Sequence, residues 1–126
     1  MKDRLLLSTE NIHPSIRDRV SGYHQNTISE VISAISNNPI VVVGMSLNPH
    51  CKRAKKVLGA ADRSFKYIEF GGYQSQWRRR SALKMWSGWP TFPMVFVNGQ
   101  LIGGADELNA ISCNGQLDAL LNDSKA

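Results

Sequence analysis

A chain of 126 residues with one composition throughout has room for one domain and an N-terminal extension. Its 42% hydrophobic content can build a core without metal or disulfide staples, and no apolar run approaches the ~20 residues that span a bilayer. A net charge of +5 favours anionic partners, either nucleic acid or a small anionic ligand.

The opening Met1-Lys2-Asp3-Arg4, followed by only three leucines, is too short and too charged for a secretory signal. A soluble, cytoplasmic protein is the expectation. Two cysteines, Cys51 and Cys113, are too few and too far apart for a disulfide framework. His13, His24 and His50 do not pair with them at ligand spacings, so no metal held by side chains alone is expected.

Residues 1–12 carry no periodicity and read as a mobile arm. From Pro14, Ile16, Val20, Tyr23, Ile28, Val31, Ile32 and Ile35 recur at helical intervals until Asn37-Asn38-Pro39 stops them, with Gly22 as a point of breakage. Ile40-Val41-Val42-Val43 is a β-branched run that fits a strand buried on both faces. Asn48 then reads as an N-cap and Pro49 as the first position of a helix running through Cys51 to Leu58. Phe65–Phe70 suggests a second strand, and Trp77–Trp86 a helix that is basic on one side. Pro93–Ile102 holds two apolar runs around Asn98-Gly99, which predicts a hairpin. Gly103-Gly104 ends it, and Ala105-Asp106 opens a last helix, interrupted at Asn114-Gly115 and resumed to Leu121. The order strand, helix, strand, helix, hairpin, helix predicts an α/β fold with a central mixed sheet flanked by helices.

Three blocks of this chain resemble the glutaredoxin family across roughly residues 39–122. Asn48-Pro49-His50-Cys51 and the helix after it resemble the family's Cys-Pro-Tyr-Cys segment. Trp89-Pro90-Thr91-Phe92-Pro93 with Phe96-Val97-Asn98-Gly99, and Gly103-Gly104-Ala105-Asp106, are most similar to the monothiol members. The resemblance implies a thioredoxin fold over residues 39–126, with residues 1–38 as an arm and helix. It implies glutathione as the ligand, thiol–disulfide redox as the activity, and a redox or iron–sulfur protein as partner. The departures are specific. The family's nucleophilic first cysteine is replaced by Asn48, whereas monothiol members keep the first and lose the second. Met45 stands nearest to the family's upstream lysine, and the loop insertion of the monothiol class is missing.

A cysteine at a helix N-cap is reactive because orphan N–H groups and the helix dipole stabilise its thiolate. Asn48 can accept the same hydrogen bonds but cannot attack a disulfide. Cys51, the candidate catalytic residue, is either a shielded thiol or a reactive monothiol helped by Lys52 and the dipole. His50 is either a proton acceptor for it or an exposed residue without a role. Cys113 reads as a passive helix residue; a bridge to Cys51 would require their Cα atoms within about 7 Å.

By resemblance, Pro93 is the family's cis-proline and presents the Phe92 backbone to glutathione. The turn at Ala105 and Asp106 would hold the γ-glutamyl end, Asp106 taking its ammonium or serving as a plain N-cap. Arg80 and Lys84, four residues apart on one helix face, would take the glycine carboxylate or simply form a solvated basic face. With the first cysteine missing, no cluster of the monothiol type is expected. The alternatives are a non-catalytic glutathione- or protein-binding module and, more weakly, a basic adaptor binding through residues 78–84. No recognition helix or aromatic sheet motif supports nucleic acid.

Overall fold

The computed structural model describes residues 4–123. Residues 4–16 contain two short 3₁₀ turns, Thr9–Asn11 and Pro14–Ile16. Six helices and four strands follow: α1 (Arg17–Gly22), α2 (Gln25–Asn37), β1 (Ile40–Gly44), α3 (Pro49–Ala60), β2 (Lys66–Glu69), α4 (Trp77–Ser87), β3 (Met94–Val97), β4 (Gln100–Gly103), α5 (Ala105–Cys113) and α6 (Gln116–Asp123). No helix among the described residues is long and apolar enough to cross a membrane.

The sheet has the order β2-β1-β3-β4, with β1 parallel to β2 and antiparallel to β3, and β3 antiparallel to β4. Every residue of β1 and β3 is buried, as a strand covered by helices on both faces requires. The period of two divides their side chains between two cores. Val41, Val43, Met94 and Phe96 face Val31 of α2 and Leu83 of α4. Ile40, Val42, Val95 and Val97 face Ala54 and Leu58 of α3, Leu108 of α5 and Leu117 of α6. This is the expected thioredoxin-type arrangement, a mixed sheet between two helical layers. Because Val31 is fully buried in the first core, α2 packs as a layer of the same body as residues 39 onward.

The helical reading from Pro14 breaks where Gly22 made it weakest. Tyr23 turns extended and His24 adopts φ 46°, so α1 and α2 are separate helices. The hairpin turns at Asn98 and Gly99 with φ of 50° and 81°, two positive values that few other residue pairs accept. The second strand is shorter than Phe65–Phe70. Phe70 leaves the strand to pack in the first core, while its N–H still bonds the Gly44 carbonyl at 2.9 Å. Arg4, within the segment read as a free arm, donates through Nη2 to the Trp86 carbonyl at 3.4 Å.

Candidate functional site

The site is built where β1 ends and α3 begins. Asn48 caps α3 in an extended conformation, and its Oδ1 accepts from the backbone N–H of His50 at 2.8 Å and of Cys51 at 3.1 Å. Such a cap is worth about 1 kcal/mol over alanine. Pro49 at the first helical position has no N–H to leave unpaired. These two residues fix a positive helix end directly beneath the loop.

Cys51 lies one turn in and is 1% exposed. Its Sγ accepts the Met45 N–H at 3.4 Å. Burial pushes the thiol up from its ordinary value, against the opposing pull of that hydrogen bond and of Lys55. At neutral pH it is therefore a protonated, enclosed thiol, and of the two sequence readings the shielded one describes its surroundings. Gly44 is part of the enclosure. A Cβ there would stand 2.7 Å from the Tyr67 hydroxyl and 2.9 Å from Cys51 Sγ, so only glycine lets the two approach. Burial likewise pushes the Tyr67 phenol up, and it stays protonated to donate to Glu69 Oε1 at 3.2 Å. Cys113 is exposed, and both cysteines are free.

Leading into β3, the Phe92-Pro93 peptide bond is cis, and both residues are buried. Lys84 is exposed, with Nζ 5.8 Å above the Phe92 ring. The turn into α5 approaches Pro93 closely. A Cβ at Gly104 would lie 3.3 Å from the Pro93 carbonyl oxygen and 3.7 Å from Trp89 Nε1. That indole nitrogen is buried and has no hydrogen-bond partner. Ala105 follows as the buried first residue of α5.

Two expected placements need correction. Asp106 is not the N-cap of α5. Gly104 holds that position, and Glu107 Oε1 reaches back to its N–H at 2.8 Å. Asp106 is instead an exposed residue of the first turn, paired through Oδ1 with Arg53 Nη2 of α3. Arg80 does not share an exposed face with Lys84. It is 7% exposed, and its Nη1 donates to the carbonyls of Phe70 and Ser75, bracing the loop between β2 and α4 from within.

A family model described as glutaredoxin matches residues 40–102, half of the chain. A glutaredoxin-like protein of Dictyostelium discoideum is 48% identical over 103 residues, covering 82% of this chain and 80% of that one. The chain belongs to the glutaredoxin family. Glutaredoxin-C6 of Oryza sativa subsp. japonica is 35% identical, over 79% of this chain and 88% of its own. The crystal structure of a buckwheat glutaredoxin–glutathione complex superposes with a TM-score of 0.70 at 26% identity, covering 81% of this chain and 93% of that one.

Within this glutaredoxin, Asn48 and Pro49 open α3, Cys51 shares the first core with Phe92, Lys84 of α4 stands over the Phe92 ring, and Arg53 of α3 pairs with Asp106 at the start of α5. Arg80 is turned to the Phe70 and Ser75 carbonyls instead. His50 is exposed, with Nδ1 3.5 Å from Arg53 Nη2. Arg53 is the residue that sequence reading missed. Its spacing of three from His50 is a helical neighbour signal, but its ion-pair partner lies 53 positions away.

Proposed function

We propose that this glutaredoxin binds glutathione above the N-terminus of α3 and takes part in thiol–disulfide redox with weak turnover of its own. Asn48, in this reading, occupies the place of the nucleophilic cysteine. The observation that carries it is the cap itself: Asn48 Oδ1 already accepts the two amide N–H groups that would stabilise a thiolate there. The glutathione seen with the buckwheat relative supplies the ligand class.

The Phe92 backbone pairs with the peptide in strand-like fashion, and Lys84 takes the glycine carboxylate. The N–H groups at Ala105 and Asp106 meet the γ-glutamyl carboxylate at the positive end of α5. The ligand ammonium displaces Arg53 from Asp106. That exchange costs little, because an exposed ion pair is worth about 0–1 kcal/mol. Arg80 supports the loop and does not touch the ligand.

Calorimetry tests the site. Lys84→Ala and Asp106→Ala are each expected to weaken glutathione binding by about ten- to a hundredfold, the value of one charge-assisted contact. An unchanged dissociation constant in either variant removes that residue from the site, and no binding by the wild type removes the site.

A second reading, a non-catalytic glutathione- or protein-binding module, is favoured by the burial of Cys51, the one thiol near the cap. An iron–sulfur cluster does not fit these residues. Cluster iron takes thiolate ligands, Asn48 presents an amide, and Cys51 Sγ is enclosed against the Met45 N–H. The similarity of Trp89–Pro93 to the monothiol class points to a partner among redox or iron–sulfur proteins. Two free cysteines suit a cytoplasmic setting in which thiols stay reduced.

A further inference from the structure

The N-terminal segment displays apolar side chains that the rest of the chain leaves uncovered. Leu5, Leu6 and Leu7 are 97%, 69% and 70% exposed. Close by, between α1 and α4, runs a groove of about 630 Å³ lined by Ile16, Val20, Tyr23, Met85 and Trp86. Val20 and Met85 are themselves 51% and 60% exposed. Both surfaces leave large apolar side chains open to water.

The chain's own leucines are held away from its own groove. Arg4 anchors one end of the segment by its hydrogen bond to the Trp86 carbonyl. Arg17 Nε anchors the other by donating to the Ile12 carbonyl at 2.7 Å. Between the two anchors the leucines face outward. Charge points the same way. Arg19 is the charged residue of the groove lining and has no ion-pair partner among the described residues. Glu10, exposed three positions beyond Leu7, bonds the Ser8 hydroxyl and has no ion-pair partner among the described residues.

We propose that the occupant of the groove is the Leu5-Leu6-Leu7 segment of a second copy of this chain, exchanged reciprocally. Each copy carries both the apolar segment and the groove that receives it. The contact is therefore self-complementary and closes as a two-fold dimer. In the dimer Glu10 of each copy meets Arg19 of the other, which fixes the direction of insertion. The proposal is independent of glutathione and of the site at α3.

Sedimentation velocity of the full chain over a range of concentrations tests it. The arm variant Leu5→Ser/Leu6→Ser/Leu7→Ser and the groove variant Val20→Lys/Met85→Lys alter exposed side chains, and circular dichroism checks that both remain folded. The wild type is expected to dimerise, and each variant to weaken the dimer by at least about tenfold. An equimolar mixture of the two variants is expected to recover association above either alone, because one intact arm still meets one intact groove. A wild type that stays monomeric at every concentration overturns the proposal and leaves the groove to another protein. A dimer insensitive to both variants overturns it too, as does a mixture that associates no better than its parts.

Discussion

Asn48→Cys is expected to raise glutathione-dependent reduction of mixed disulfides by at least about tenfold over the wild type. The physical case rests on what position 48 already provides. Its side chain sits at the N-cap of an α-helix of 12 residues, 8% exposed, and receives two backbone N–H groups. A thiolate placed there gains both hydrogen bonds and the positive end of the dipole. Its pKa falls toward neutral pH, and the population of nucleophile rises accordingly. Pro49, the cis Phe92-Pro93 bond and Lys84 need not move to accommodate it. Initial rates with a glutathionylated substrate give the answer. A variant as inactive as the wild type, yet folded, would mean that the site lacks something besides the nucleophile.

Arg80→Leu is expected to lower stability by about 2–4 kcal/mol, far more than an exposed arginine would. The substitution leaves the Phe70 carbonyl, and in part the Ser75 carbonyl, without the charged donor they now accept from. Hydrogen bonds to charged groups are worth about 1.5–3 kcal/mol, and stranding a buried acceptor costs its desolvation. Chemical denaturation should show the midpoint falling. Glutathione affinity, measured where the variant is still folded, should change less than it does in Lys84→Ala. If instead the variant is as stable as the wild type and loses glutathione, Arg80 belongs to the ligand site as the sequence suggested.

The contrast between Arg80 and Asn48 shows where sequence reading succeeds. Asn48, Pro49, the β1 run and Asn98-Gly99 act through their immediate neighbours, so their roles are written within a few residues. Asn48-Pro49 can start a helix whatever surrounds it, and two positive φ values select Asn-Gly locally. Arg80 is different. Its spacing from Lys84 identifies a helical neighbour but not which side of α4 the loop of residues 71–76 will cover. That loop supplies Ser75 and buries the guanidinium, a tertiary event with no local signature. The pairing of Arg53 with Asp106 is hidden for the same reason, since it joins α3 to α5 across 53 positions of sequence. Asp106 misled because aspartate is a strong N-cap former. Here Gly104 occupies the cap and Glu107 closes it from inside the helix. Sequence alone leaves Cys51 open between two readings, because burial decides thiol chemistry and the enclosure involves Gly44 and Tyr67 on neighbouring strands.

On the proposed reading, this glutaredoxin keeps a glutathione site without the family's nucleophilic thiol, and its own turnover is weak. The most direct measurement is glutathione-dependent reduction of a mixed disulfide by the wild type and by Cys51→Ser, side by side at neutral pH. Both should run close to the uncatalysed rate and be indistinguishable, since the Cys51 thiol is 1% exposed and held protonated by burial. Robust wild-type turnover that disappears in Cys51→Ser would contradict the account and make Cys51 the nucleophile.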